Sequence, residues 1–208
     1  MEQTKTKELQ EQITPAKAIE LLKEGNDRFI NSSRLERNLL EQVEQTAKGQ
    51  YPFAAIVSCI DSRIPTEVVF DQGIGDVFNA RVAGNIVNED ILGSLEFACK
   101  LAGSKAIVVL GHTSCGAVKG ACDDAKLGNL TLLLDKLKPA VDGVPTSQGV
   151  VRNSTNAAFV DAVSLKNVEL TIANIKEKSP VLNEMFDKGE IDIVGAMYDV
   201  KTGKTVFG

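Results

Sequence analysis

The sequence contains no tryptophan and a single histidine, His112, in 208 residues. It also has no apolar run near the roughly 18 residues that a membrane-spanning helix needs. Residues 1–12 are polar and charged, so they do not resemble the apolar segment of a secretory signal peptide. These absences predict a protein without a membrane partner that stays in the cytoplasm, unless an export signal has been removed.

Clusters of basic residues are missing as well. The chain has 23 lysines and arginines against 28 acidic residues, which gives a formal net charge of −5. Surfaces that bind nucleic acid are strongly basic and concentrate their lysines and arginines locally. The composition therefore predicts that no nucleic acid is a partner.

Cysteine is scarce, and its four positions differ in their surroundings. Cys59 and Cys115 are flanked by polar residues and glycine, whereas Cys99 and Cys122 lie in predicted helices. Four cysteines in a chain of this size do not form a disulfide scaffold. We interpret Cys59 and Cys115 as functional thiols and the other two as small packing residues.

The apolar runs that are present predict an α/β fold. Residues 53–58 and 105–110 lack the alternation of a half-exposed sheet and are typical of buried parallel strands. Two further strands are predicted over residues 77–82 and 191–198. Helical patterns lie between most of these runs, which predicts a parallel-sheet core flanked by helices. We expect one domain over residues 1–208, with a helical arm at 1–49 and an α/β core at 50–208.

Two amphipathic helices are predicted in the arm, over residues 15–31 and 35–48. The first begins with a capping threonine, Thr14, followed by a proline at the first helical position. In the second, the positions predicted to face inward are Leu39, Leu40, Val43 and Ala47. Both helices precede the first predicted strand and have no sheet partner of their own. Packing on the flank of the domain and packing on another subunit are therefore both open.

Further helices are predicted around the core. They cover residues 88–102, 114–125, 129–137 and 155–177, and a short one begins at Pro180. In the first of them, the inward-facing positions are expected to include Leu101.

Two polar clusters follow buried strands and contain the rare ligand residues of this chain. Cys59 comes directly after the first predicted strand, and His112 follows the third, with Cys115 three residues further on. The carboxyl ends of parallel strands share one edge of a sheet, so we expect these side chains to meet there. Two thiolates and one imidazole are good ligands for Zn²⁺, and three protein ligands leave a fourth position open. The sequence therefore predicts a zinc site.

Other interpretations of these residues stay open at this level. A lone H-x-x-C pattern is a weak signal, and with Asp61 as a fourth ligand the zinc site would be structural and closed. A redox pair is disfavoured, because Cys59 and Cys115 are not spaced as C-x-x-C. The glycines at residues 73–75 and 111–116 match no phosphate-binding loop, which disfavours nucleotide binding.

Asp61 and Arg63 lie two and four positions beyond Cys59. A carboxylate beside zinc binds the metal unless another cation holds it away, and an arginine two residues on can do so in a bidentate pair. Held in this way, Asp61 would accept a hydrogen bond from the activated water and orient it. We therefore prefer a functional pair to an ordinary surface salt bridge, which would contribute only ~0–1 kcal/mol.

Three spaced motifs carry a family resemblance. They are C-x-D-x-R at residues 59–63, R-x-A-G-N at 81–85 and H-x-x-C-G at 112–116. In this order and on these elements, the set resembles the β-class carbonic anhydrases. The similarity extends from residues 24–29 to residues 195–199, at the end of the last predicted strand.

The resemblance implies zinc bound by Cys59, His112 and Cys115, with Asp61 and Arg63 as the catalytic pair. It also implies an obligate dimer through the N-terminal helices, so we expect a homodimer or homotetramer. The implied activity is the zinc-dependent, reversible hydration of carbon dioxide to bicarbonate and a proton by attack of zinc-activated hydroxide. The alternatives are a hydrolase of carbon disulfide or carbonyl sulfide on the same fold, and a non-enzymatic, closed zinc protein.

Substrate-pocket residues are carried over from the same resemblance. Gln50 and Phe78 match pocket residues of the plant-like subgroup, while Phe97 and Ala83 stand where plant enzymes have tyrosine and valine. Gly116 completes the third motif. The resemblance implies that these five residues line a pocket for carbon dioxide. A solvated loop residue at Gln50 and ordinary core packing at the two phenylalanines are the alternatives.

Overall fold

Five strands form a single sheet in this computed structural model, which describes residues 4–208. The strands are β1 Ala54–Ser58, β2 Val77–Arg81, β3 Ala106–His112, β4 Asp192–Tyr198 and β5 Thr205–Phe207. Their order across the sheet is β2-β1-β3-β4-β5. The first four are parallel, and β5 is antiparallel to β4. The predicted α/β class with a parallel core is confirmed.

Helices cover both faces of the sheet. In the described part of the chain they are α1 Lys7–Gln12, α2 Pro15–Ile30, α3 Leu39–Thr46, α4 Thr66–Val69, α5 Glu89–Glu96, α6 Gly116–Cys122, α7 Gly128–Asp135, α8 Lys138–Gly143, α9 Ala157–Lys178 and α10 Pro180–Asp187. Within residues 4–208, no helix combines the length and the apolarity that crossing a membrane requires.

The register of the central strands brings their carboxyl ends together. β1 and β3 are buried along their whole length, as continuous apolar runs in a parallel sheet should be. Ser58, the last residue of β1, lies opposite Arg81 on β2 and Leu110 on β3. β3 runs two residues beyond the predicted strand and ends with His112. Cys59 and His112 therefore leave the sheet at the same edge.

The first long helix packs on the flank of the domain. Leu22 of α2 is fully buried in the core that covers one face of the sheet. Asn26 is buried as well, and its amide donates to the carbonyl oxygens of Val69 and Gly203 at 3.0 and 2.9 Å. Its Oδ1 accepts a hydrogen bond from the Thr205 N–H at 2.7 Å. These bonds tie α2 to the core of the same chain.

The second arm helix is shorter than predicted and turns a different face inward. The four positions that were predicted to face inward are all exposed: Leu39, Leu40, Val43 and Ala47. Gln42 is buried instead, and its side-chain oxygen accepts a hydrogen bond from the Ile74 N–H at 3.1 Å. The partly buried backbone donor at Ile74 thus has a partner, which the glutamine provides. The predicted orientation is therefore wrong.

Two other sequence expectations need correction. Leu101 was expected to face inward but is 77% exposed. Residues Phe97–Leu101 form a π-helical turn, whose extra residue changes the direction of the side chains that follow. The short strand β5 was not predicted, since three residues are too few to show a pattern.

Candidate metal centre

Three side chains with metal-ligating atoms meet at the carboxyl edge of the sheet. Cys59 follows β1, His112 ends β3, and Cys115 is the capping residue of α6. The two sulfur atoms and a ring nitrogen of His112 all lie within 4.8 Å of one another. All three residues are buried. Among residues 4–208, they are the one group of three such side chains that could hold a metal ion.

The imidazole of His112 has one nitrogen engaged and one open. Nδ1 lies 2.9 Å from the carbonyl oxygen of Thr113. A carbonyl only accepts, so Nδ1 carries the proton and donates, and Nε2 keeps a free lone pair. Nε2 is buried and has no hydrogen-bond partner. An unpartnered buried acceptor is unfavourable, and a cation at Nε2 would remove this cost.

The two thiols titrate as a pair. A hydrogen bond from the Cys115 thiol is the main cause that lowers the pKa of Cys59 to about 4. The pKa of Cys115 is raised mainly because its thiol hydrogen bonds to Cys59, and burial and repulsion by the Cys59 thiolate add to the penalty. A divalent cation between the sulfurs would offset this repulsion. Two thiols and an open imidazole nitrogen therefore fit Zn²⁺ well.

Gly84 gives one of the thiols a backbone donor. Its N–H lies 3.4 Å from the Cys59 sulfur. Gly84 has a φ of 74°, and a Cβ at this position would lie 2.9 Å from a methyl group of Leu137. Both the left-handed backbone and the close approach require glycine. The N–H···S contact favours the thiolate form of Cys59.

Arg63 holds the carboxylate of Asp61 in a bidentate pair. Its Nε and Nη2 atoms lie 2.9 and 2.8 Å from Oδ1 and Oδ2, and its backbone N–H donates to Oδ1 at 3.0 Å. The Arg63 side chain is the main cause that lowers the pKa of Asp61 to about 2. Asp61 is therefore ionised at neutral pH. Because half of the Arg63 side chain is exposed, the pair contributes ~1 kcal/mol or less to stability.

The same pair engages both oxygens of Asp61 on the side away from the three candidate metal donors. The oxygen atoms of Asp61 do not belong to the group in which all donor atoms lie within 4.8 Å of one another. The arrangement among the described residues is thus three protein donors with a fourth direction open. The closed form, with Asp61 as the fourth ligand, would require breaking the contacts with Arg63.

A cleft of about 270 Å³ lies beside these groups. It is lined by Cys59, Ile60, Asp61, Ala83, Gly116, Ala117, Gly120, Leu130 and Leu134. The wall is mainly apolar, and a Cβ at Gly116 would meet no atom within 4 Å, so this position faces open space. A small apolar molecule can rest here, next to both the donors and the carboxylate.

A family-level comparison agrees with this geometry. The sequence profile described as carbonic anhydrase matches residues 54–205, which contain all three donors and the Asp61–Arg63 pair. The chain belongs to the carbonic anhydrase family.

Individual relatives in the carbonic anhydrase family match nearly the whole chain. Carbonic anhydrase 2 of Mycobacterium tuberculosis strain H37Rv is 35% identical over 193 residues, which are 92% of this chain and 92% of that protein. The carbonic anhydrase of Mycolicibacterium smegmatis is 31% identical over 196 residues, 91% of each chain.

Solved structures place the chain in the β class. The β-carbonic anhydrase of Coccomyxa, in complex with acetazolamide, superimposes with a TM-score of 0.69 at 25% identity, covering 79% of this chain and 75% of that one. Two tetrameric β-carbonic anhydrases of Sordaria macrospora give a TM-score of 0.68 at 25% identity, covering 80% of this chain and 89% of that one. The chain is therefore an enzyme of the β class of the carbonic anhydrase family.

The five expected pocket residues of this carbonic anhydrase family member are not all in one place. Ala83 and Gly116 line the cleft beside the donors. Phe78 and Phe97 pack edge to face with their ring centroids 6.1 Å apart, and both line a separate cleft of about 520 Å³. Phe78 is the second residue of β2, three residues or about 10 Å from the strand end that faces the donors. Gln50 is exposed and lines neither cleft.

Several residues near the candidate metal centre of this family member were not recognised from the sequence. Arg81 donates to the carbonyl oxygens of Cys59 and Asp61 at 2.9 and 2.7 Å, and so fixes the loop that carries them. Its place in the second motif was the available signal. Leu130 and Leu134 line the cleft from α7, but nothing distinguishes them in sequence from core leucines.

Proposed function

We propose that this protein catalyses the zinc-dependent, reversible hydration of carbon dioxide to bicarbonate and a proton. The observation that carries the proposal is the buried group of two thiols and an imidazole with an unpartnered nitrogen, beside an apolar cleft. Membership of the carbonic anhydrase family supports the reaction.

Cys59, His112 and Cys115 would hold Zn²⁺ through two sulfurs and Nε2. When bound there, Zn²⁺ lowers the pKa of water and so supplies hydroxide near neutral pH. The Thr113 carbonyl fixes the tautomer of His112, and the Gly84 N–H stabilises the Cys59 thiolate. These two backbone contacts orient the donors before any ion binds.

Asp61 would act on the proton of the reacting water. Its carboxylate is ionised and lies in the wall of the cleft, so it can accept a hydrogen bond from a water molecule there. Arg63 binds both carboxylate oxygens and prevents the group from turning toward the donors. The pair thus orients the nucleophile and keeps the fourth direction open.

The cleft would bind carbon dioxide through its apolar wall. Ala83, Leu130 and Leu134 present carbon atoms to an apolar substrate and exclude competing water. Gly116 adds space rather than a contact. Bicarbonate, which is charged, gains little from such a wall and is released to solvent.

A homodimer would explain the positions of Phe78 and Phe97. Phe97 is 51% exposed, and β2 is an edge strand of the sheet. An unpaired edge with exposed aromatic rings is a surface that a second copy can cover. In such a dimer the two rings would serve the partner's cleft, because they lie outside their own. The homotetramer remains the larger assembly that we expect, by analogy with the tetrameric Sordaria proteins.

Stopped-flow hydration of carbon dioxide by zinc-loaded protein tests the proposal. We expect Asp61→Asn to keep its zinc and to lose roughly 100-fold in kcat/KM, because an amide cannot accept the proton as a carboxylate does. Asp142→Asn, an exposed change in α8, is the matched control and should behave as the wild type. Equal rates for all three proteins would remove Asp61 from the mechanism.

The same preparations distinguish the other functions. Turnover of carbonyl sulfide or carbon disulfide without carbon dioxide hydration would favour the hydrolase. Full zinc content without turnover of any of the three substrates would favour the closed site with Asp61 as the fourth ligand.

A further inference from the structure

Helix α9 turns a row of polar side chains toward the metal centre. Ser164, Asn167 and Thr171 are only 3, 3 and 2% exposed, among valines that pack on the sheet. Together with Asp161 they recur every three or four residues, so they share one face of the helix. Polar groups buried in this way are unfavourable unless they form hydrogen bonds. Their partners therefore show what the row does.

Asn167 is bonded to the loop that supports Cys59. Its Nδ2 donates to the carbonyl oxygen of Gly84 at 2.8 Å, and the N–H of the same glycine lies 3.4 Å from the Cys59 sulfur. Thr171 makes a longer contact of 3.4 Å with the next carbonyl, that of Asn85. Both loop residues have positive φ angles, 74° and 43°. Asn167 thus anchors a loop that turns through two successive left-handed residues.

Asp161 is bonded to the loop that carries Cys115. Its Oδ1 accepts a hydrogen bond from the Ser114 N–H at 2.9 Å. Ser114 has a φ of 56°, in the left-handed region that a serine rarely adopts. Cys115 follows directly and caps α6. One carboxylate therefore fixes the strained residue that aims this cysteine.

We propose that this face of α9 positions both cysteine ligands, with Asn167 acting through Gly84 on Cys59 and Asp161 acting through Ser114 on Cys115. The inference rests on the proposed function only in taking these cysteines as metal ligands. Neither residue touches the donor atoms, so each is a positioning residue. Loss of such an indirect partner lowers metal affinity by about 10–100-fold in other metal sites.

Zinc affinity, measured by competition with a chromophoric chelator, tests the first contact. Asn167→Leu removes the amide donor at nearly constant size, and the adjoining cavity of about 360 Å³ gives the new side chain room. We expect affinity to fall at least tenfold. Ser164→Ala is the matched control, since this serine is equally buried but bonds only to Val160 of its own helix. Its zinc affinity should stay within about twofold of the wild type. Asn167→Ala, which removes the donor without adding bulk, provides a second variant should the leucine protein not fold.

The second contact allows a test by rescue. Asp161→Asn keeps the oxygen that accepts from Ser114, whereas Asp161→Leu removes it. We expect zinc affinity to fall at least tenfold in Asp161→Leu and to recover in Asp161→Asn. Substitution of Co²⁺ adds a direct readout, because the thiolate-to-cobalt absorption band should shift in Asn167→Leu and Asp161→Leu but not in the controls.

The outcomes separate the inference from the proposed reaction. Unchanged zinc affinity and an unchanged cobalt band in folded Asn167 and Asp161 variants would overturn the inference and leave the reaction intact. Protein that hydrates no carbon dioxide, but loses zinc affinity in these variants, would support the inference and reject the reaction. Wild-type affinity in Cys59→Ser would reject the ligand assignment and the inference with it.

Discussion

Asp71 has a fully buried side chain, and replacing it with asparagine tests how the N-terminal helices are held to the core. Arg37 and Arg28 bind its carboxylate at 2.5 and 2.6 Å, and the Leu35 N–H donates to it at 3.2 Å. The Arg37 side chain is only 7% exposed and that of Arg28 24%. Asp71 has a φ of 46°, which asparagine tolerates as well as aspartate does. The substitution therefore removes a charge without adding backbone strain.

The expected loss in the free energy of unfolding follows from how little of the Asp71, Arg37 and Arg28 side chains is exposed. Breaking a fully buried ion pair costs about 3–5 kcal/mol, because the remaining charge loses its partner. Asparagine keeps one acceptor oxygen, and water reaches Arg28, so we expect Asp71→Asn to lower the free energy of unfolding by about 2–4 kcal/mol. With a urea m-value of about 3 kcal/mol/M, the unfolding midpoint should fall by roughly 1 M. Because the chain has no tryptophan, far-UV circular dichroism at fixed protein concentration is the suitable probe.

Asp124→Asn is the matched control for Asp71→Asn. Asp124 also has a positive φ, 52°, and pairs with Lys126, but its side chain is 62% exposed. We expect no measurable shift of the urea midpoint, because an exposed ion pair contributes little to stability. Equal midpoints for the two variants would refute the reasoning.

The pH dependence of the Asp71 effect has a definite sign. Burial opposes ionisation of Asp71, but the hydrogen bonds from Arg28, Arg37 and the Leu35 N–H outweigh it and lower its pKa. The stabilisation is therefore fully present above the unfolded-state pKa of about 4 and is lost as the pH falls through the lower folded-state value. The difference between wild type and Asp71→Asn should be constant from about pH 8 to 5 and shrink below about pH 4.

Three further outcomes are expected. Gly25→Ala should lower the free energy of unfolding by about 3 kcal/mol or more in the same urea assay, since its Cβ would lie 1.8 Å from the Phe70 carbonyl oxygen. The neighbouring exposed change Glu24→Ala should alter this free energy by no more than about 0.5 kcal/mol. Removal of zinc with a chelator should lower the thermal midpoint by about 10 °C, and readdition of Zn²⁺ should restore it; an unchanged midpoint would argue against a folded-state metal site. Phe97→Glu should shift sedimentation toward the monomer and reduce carbon dioxide hydration, and an unchanged assembly would remove Phe97 from the proposed interface.

The central strands and the meeting of Cys59 with His112 were predictable because both depend on a local pattern. Buried parallel strands are continuous apolar runs, so β1 and β3 stand out. Cys59 and His112 lie at the ends of those runs, and the parallel topology then requires them to meet. That Cys59 and His112 come together thus follows from their positions along the chain, and their role as metal donors stays a prediction.

Orientation and long-range contacts were less predictable. The apolar pattern of α3 does not show that Gln42, rather than the leucines, faces inward, because that depends on a distant backbone donor at Ile74. Phe78 was assigned to the pocket by resemblance, but its place on β2 depends on strand register. Asn167 is an ordinary polar residue in a helical pattern until the fold brings Gly84 to it.

The dependence of carbon dioxide hydration on bound zinc is the most direct test of the proposed function. Metal-free protein should be inactive, and activity should rise in proportion to added Zn²⁺ until each chain holds one ion. Cys115→Ser should bind little zinc and remain inactive at the same metal concentration, because it removes one of the three donors. Hydration that is independent of zinc content, or Cys115→Ser with wild-type zinc binding and activity, would contradict the proposed centre.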